Sequence, residues 1–234
     1  KQIVHVKGST TVYLLCYMWD EVSWSARVVL YRSTNDGASF SRIYTFNHGS
    51  EALVKMMMPY NTNEVYVLDA KSSAGNLQFF QLSGTSLALI NSVAQPQTIT
   101  SDLQFAGTLV TGVLTFYLLS NNQAVFSSPN QGASWLLKGT LPQAAWGRLD
   151  VSNIDPLKVF SGGVEAMRSY NSGTSWTVVN NWGDYYSNIT GKLHADIMNI
   201  AHYRKTDGTS FAIINNHGGV AVSYNELTTT SNLT

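Results

Sequence analysis

Short apolar runs separated by polar clusters set the pattern of this chain. β-branched, aromatic and alternating residues recur at Val28 to Tyr31, Glu64 to Leu68, Leu77 to Leu82, Val113 to Leu119, Ala124 to Ser127, Lys158 to Phe160, Phe211 to Ile214 and Gly219 to Ser223. Each run has the length of a strand, and helical periodicity is almost absent, which predicts an all-β chain. The clusters between runs carry Gly and Asn, which supply the positive φ angles of tight hairpins. They fall at Asn35 to Gly37, Ser72 to Gly75, Asn130 to Gly132, Asn171 to Gly173 and Thr206 to Gly208. Antiparallel hairpins follow. The stretch Val54 to Pro59 (VKMMMP) reads as a buried strand that stops at a proline turn.

The pattern also repeats. Three segments align without gaps: Ser33 to Phe40 (STNDGASF), Ser128 to Trp135 (SPNQGASW) and Ser169 to Trp176 (SYNSGTSW). Gly84 to Leu87 keeps the second half of the motif and Ser223 to Asn225 the first. Copies lie roughly 40 to 55 residues apart, the length of one four-stranded propeller blade. The motif suits a hairpin between the outer strands of a blade. Ser33, Asn35, Ser128, Asn130, Ser169 and Asn171 would bond the turn's own backbone, and Gly37, Gly132 and Gly173 would take the left-handed conformation. Phe40, Trp135 and Trp176 would pack inward beneath the turn. These twelve residues are expected to be structural.

Composition narrows the partners. Lys plus Arg balance Asp plus Glu at 14 each and charged residues are 12% of 234, with no basic block of the kind that tracks a phosphate backbone. Nucleic acid is not an expected partner. Polar surface comes from Asn, Ser, Thr, Gln and Tyr, a lean toward secreted or cell-surface proteins of bacteria. The single cysteine, Cys16, excludes an internal disulfide and reads as a small buried hydrophobe. No apolar run reaches the length of a membrane helix, and the first residues do not read as a signal peptide, so a mature or truncated chain is expected, attached to a surface, if at all, through other segments. The sequons at Asn188 and Asn232 carry little information in a chain so rich in Asn and Thr.

The motif S-x-N-x-G-x-S-[FW] resembles the Asp-box, or bacterial neuraminidase repeat, of sialidases, xyloglucanase-type glycosidases, sortilin-like receptors and many secreted bacterial proteins. Asn35, Asn130 and Asn171 stand where the family has Asp. Asn keeps the side-chain carbonyl that the turn needs, so the resemblance still implies the fold. A second resemblance covers the C-terminal third. Residues 146–150 (WGRLD), 153–156 (NIDP), 159–163 (VFSGG), 193–196 (LHAD) and 216–220 (NHGGV) are similar, in order and spacing, to a two-blade pattern of glycosyl-hydrolase-like repeat proteins. That pattern has Asp-Gly-Gly where this chain has His217, Gly218 and Gly219. A shared architecture is implied, and an activity is not.

The expected fold is a β-propeller of four-stranded antiparallel blades, about five in this chain, at residues 1–50, 51–95, 96–142, 143–185 and 186–234. Five blades would be unusual for this repeat type, so membership in a larger propeller is expected. For chemistry, a glycosidase needs two carboxylates about 5 to 9.5 Å apart across a groove. Asp150 and Asp196 are the candidates, each near the start of a blade, with Trp146 and Arg148 beside one and His194 beside the other. The rival reading gives both a structural role. Asp155, in an Asp-Pro turn, is a weaker candidate. The resemblance to sialidases implies three arginines clamping a substrate carboxylate, and arginines 27, 32, 42, 148, 168 and 204 form no such motif. His194 and Asp196 on one strand would share a face suited to a metal, with His202 and His217 nearby, but no ligand motif joins them, and neither metal nor cofactor is expected. Trp182, in the run WGDYY, would stack a sugar ring, anchor a protein partner or pack between blades. The reading preferred is a non-catalytic binding or scaffolding module engaging a protein or a glycan; the alternative is an Asp-box-type glycoside hydrolase.

Overall fold

The computed structural model describes residues 2–21, 24–71, 75–121 and 123–233. The expected turn at Ser72 to Gly75 lies outside the described residues but for Gly75, as does Thr234 of the second sequon. Among the described residues, strands form five four-stranded antiparallel sheets in which spatial order follows chain order. Blade 1 holds β1 (Gln2–His5), β2 (Val12–Asp20), β3 (Ser25–Ser33) and β4 (Ser41–Thr45). Blade 2 holds β5 (Val54–Met57), β6 (Val65–Asp69), β7 (Asn76–Ser83) and β8 (Ser86–Ala94). Blade 3 holds β9 (Gln104–Val110), β10 (Val113–Ser120), β11 (Ala124–Ser128) and β12 (Leu136–Thr140). Blade 4 holds β13 (Asp150–Val151), β14 (Val159–Gly162), β15 (Ala166–Ser169) and β16 (Thr177–Val178). Blade 5 holds β17 (Asn199–Arg204), β18 (Ser210–Asn216), β19 (Gly219–Ser223) and β20 (Ser231–Leu233).

The middle strands are more apolar and more buried than the outermost ones because neighbouring blades cover their faces. Every residue of β6 and β14 is buried, whereas the outermost β4 and β12 have none buried. Among the described residues four apolar cores lie between blades 1 and 2, 2 and 3, 3 and 4, and 4 and 5. Burying a large aliphatic or aromatic side chain stabilises by about 1.5–3 kcal/mol, so these gaps hold the blades in place. A hydrogen bond crosses each of them on one side of the molecule. Tyr13 donates to Gly84 O, Asn91 to Gln131 O, Tyr117 to Pro156 O and Tyr170 to Glu226 O.

The repeated turns are built alike. Ser33 Oγ, Ser128 Oγ and Ser169 Oγ each accept the N–H of the glycine four residues on, and each donates to the Asn Oδ1 two residues on. That Oδ1 then accepts the N–H of Ser39, Ser134 or Ser175. Gly132 and Gly173 have φ of +79° and +87°, and a Cβ there would sit 2.8 Å from Phe79 and 2.9 Å from Val125, both on the preceding blade. Glycine is therefore required by backbone and by packing. Trp135 and Trp176 rest on the cores shared with the preceding blade, while Phe40 of blade 1 stays 38% exposed. The inward packing expected of the motif's aromatic is seen for the two tryptophans and not for Phe40, which joins no apolar core among the described residues.

Blade 5 carries the same turn in disguise. Ser223 Oγ accepts Leu227 N, and Asn225 Oδ1 accepts Thr229 N. Leu227 holds the glycine position at φ +60°, a left-handed conformation that costs a residue with a Cβ about 1–2 kcal/mol. Its side chain is wholly buried in the core shared with blade 4, which offsets that cost.

Candidate functional site

The innermost strands, β1, β5, β9 and β17, and the segment leading into β13, line one open cavity of about 780 Å³. Its wall includes Ile3, Met57, Gln104, Trp146, Arg148, Met198 and Tyr203, so all five blades contribute. Trp146 is 48% exposed and Arg148 is exposed. These two sequence-chosen residues stand together on the channel wall, with an aromatic face and a cation available to a ligand.

Asp150 is not available in that way. It lies on β13 with 1% exposure, and its Oδ2 is 2.7 Å from His202 Nδ1 on β17. Tyr60, just past β5, donates to Asp150 Oδ1 at 3.1 Å and accepts the His202 backbone N–H at 2.8 Å. On the other side of the imidazole, Nε2 lies 3.2 Å from Glu226 Oε2, close enough for an ion pair but too bent for a hydrogen bond. Ser152 donates to Glu226 Oε1 at 2.9 Å. The network ties blades 2, 4 and 5 together around one buried imidazole.

Its electrostatics follow from the two carboxylates. Burial works against a charged His202, yet the hydrogen bond that Nδ1 donates to Asp150, followed by the carboxylate of Glu226 and the charges of both anions, outweighs it and pushes the imidazole up to about 9. Burial likewise opposes ionisation of Glu226, but His202 and then Ser152 hold its carboxyl below the usual value. Burial, and next the charge of Asp150, raise the Tyr60 phenol well above its ordinary range. A cationic His202 between two anions is the state this geometry favours.

Asp196 sits elsewhere. The expectation that His194 and Asp196 share one strand fails, because the segment before β17 is irregular and Asp196 has φ +61°. Its Oδ2 pairs with His217 Nδ1 at 2.9 Å, with side chains 35% and 60% exposed respectively. Asp150 and Asp196 share no hydrogen-bond partner, and neither lines the channel cavity. The histidines weighed as a metal cluster are likewise parted: His202 is held by Asp150, His217 by Asp196 and His194 by Tyr186. Among the described residues, no group of three or more His, Cys, Asp and Glu side chains is arranged to hold a metal ion. Asp155 caps its own turn, accepting Leu157 N, and pairs with Lys158 at 3.7 Å.

Trp182 and His194 do come together. The run Trp182–Ser187 is a 3-10 turn after β16, capped by Asn181 accepting Gly183 N. Tyr186 stands 6.0 Å from Trp182 and 5.9 Å from His194 by ring centroids, and its hydroxyl lies 3.3 Å from His194 Nε2. Sequence reasoning missed Tyr60, Glu226 and the role of His202. One signal was present for Glu226: Asn225 and Thr229 keep the spacing of Asn171 and Ser175, and Leu227 in place of glycine hides it.

No protein-family model matches the chain, and no curated protein matches it. Solved structures do. A GH74 xyloglucanase from Xanthomonas campestris superimposes with a TM-score of 0.56 at 15% identity, over 94% of this chain and 35% of that one. AofleA from Arthrobotrys oligospora gives 0.53 at 10% identity, over 92% of this chain and 67% of that one. The chain therefore spans about a third of the length of the xyloglucanase it matches. With five radially arranged four-stranded sheets and these neighbours, the chain is a β-propeller.

Proposed function

We propose that this chain is a non-catalytic binding module of a secreted or cell-surface protein, a propeller of the Asp-box type that engages a glycan or a protein at its channel mouth. One contrast carries the reading: Asp150, two residues from the channel-lining Arg148, is consumed by a buried ion-pair network, whereas Trp146 and Arg148 are exposed on the channel wall. Hydrolysis needs two carboxylates facing one cleft, with one free to pass a proton to the leaving group. Asp150 has neither the exposure nor the freedom. Binding needs only a rigid face with a few polar and aromatic groups, and blades locked by apolar cores supply it.

The experiment that tests this reading uses xyloglucan, the polymer implied by the name of one structural neighbour. Incubated with the purified chain, xyloglucan is expected to yield no reducing ends above a protein-free blank. Release of reducing ends that Asp196→Asn abolishes would replace the binding module with a glycoside hydrolase.

A further inference from the structure

The six-residue turn Trp182–Ser187 contains three aromatic residues and buries none of its side chains. Packing between blades would have removed the rings from water, yet Trp182 remains 44% exposed and Tyr186 65% exposed. Holding that apolar surface in solvent is unfavourable unless something covers it. The rings are also held in fixed positions. Glu165 Oε1 accepts Trp182 N at 3.1 Å, and Tyr185 packs edge-on against both Tyr186 (5.5 Å, 83°) and His194 (4.9 Å, 84°).

Trp182 and Tyr186 meet at 84°, so they make a corner and not a flat shelf. A pyranose ring with equatorial hydroxyls has two C–H faces and a polar rim, which such a corner matches: one aromatic face takes the C–H face, and the other ring walls the edge. Hydrogen-bonding groups flank it. The turn at Gly218 packs so closely on His194, the imidazole against Tyr186, that a Cβ there would lie 2.5 Å from the His194 Cβ, and His217, next to Gly218 in that turn, forms the exposed pair with Asp196. A protein partner would need about 800 Å² on each side, far more than two rings of one short turn offer. The exposed carboxylate of Asp184, inside the turn itself, disfavours an anionic ligand.

We propose that Trp182 and Tyr186 stack one pyranose ring of a neutral oligosaccharide with equatorial hydroxyls, and that Asp196 and His217 meet those hydroxyls. This rests on the binding-module reading and gives it a ligand class and a second contact point outside the channel. The test is calorimetric titration of the whole chain with cellohexaose and with N-acetylchitohexaose, two sources of the same ring geometry. Wild type is expected to bind at least one of them, and Trp182→Ala and Tyr186→Ala are each expected to weaken that binding about tenfold with thermal unfolding unchanged. Trp146→Ala separates the two sites. Loss on Trp146→Ala with full affinity in Trp182→Ala would overturn the corner site and leave the channel reading standing. Loss in the Trp182 and Tyr186 variants with Trp146→Ala silent supports the corner site and counts against the channel mouth as the seat. Absence of binding by both sugars at millimolar concentration would overturn the proposal.

Discussion

Two Asp–His pairs in this molecule have nearly the same length and opposite physics. Asp150 and His202 lie 2.7 Å apart with 1% exposure each; Asp196 and His217 lie 2.9 Å apart with 35% and 60%. Water competes for the second pair and screens it, so an exposed pair of this kind contributes about 0–1 kcal/mol. The first pair has no water to fall back on. Its charges are compensated by each other, by Glu226 and by Tyr60, so loss of one member strands the rest. A carboxylate's distance to its partner therefore says little about its role until its burial is known. The pair beside solvent is the one free to meet a ligand.

The largest effect that separates the pairs is expected from Asp150→Ala. Removing one partner of a buried ion pair costs about 3–5 kcal/mol, which in a chain of this size lowers Tm by roughly 10 °C. Thermal unfolding followed by circular dichroism reads this directly. A variant that melts within a degree of wild type would show that His202 and Tyr60 find other partners, and that the buried network does not tie the blades together.

The alkaline limb of stability comes next. His202 is raised in the folded state to about 9, above its unfolded value near 6.5, so its contribution is complete below about pH 6.5 and is lost as pH rises through 9. By linkage the loss is on the order of 2–3 kcal/mol. Glu226→Gln removes one of the two anions facing the imidazole, and stability should then begin to fall at lower pH. Glu226 itself has a depressed folded value, so its contribution is present above its unfolded value and lost as pH falls through the folded one. The variant's acid limb should be shallower. Superimposable alkaline limbs for the two proteins would mean that the bent Glu226 contact contributes nothing to the charge of His202.

The contrast between the pairs also marks where sequence reading stops. Apart from Val54 to Pro59, which became the innermost β5, the runs recognised from pattern alone became the second and third strands of blades, such as β6, β7, β10, β11, β18 and β19, because strands covered by neighbouring blades are rich in apolar residues. Two-residue edge strands such as β13 and β16 leave no pattern to recognise. The turns were legible because their hydrogen bonds span four residues, as between Ser169 and Gly173. The buried network was not, since its bonds join residues 52, 74 and 90 positions apart. Asp150 and Asp196 looked equivalent in sequence because both precede or begin an innermost strand. Only the partners brought in by other blades distinguish them.

The smallest predicted effect is the sharpest control. Asp196 already occupies the left-handed region, which Asn tolerates as well as Asp, so Asp196→Asn removes charge without backbone strain. Stability is expected to change by less than about 0.5 kcal/mol in dilute buffer. At about 1 M salt the Debye length shrinks to about 3 Å, and even that difference should vanish. The deficit of Asp150→Ala should persist at the same salt, because ions do not enter a site with 1% exposure. If salt instead rescues Asp150→Ala, or if Asp196→Asn unfolds as readily, then burial is not what sets the two pairs apart. In that case the exposed pair would be part of the scaffold and not a group held ready at the surface.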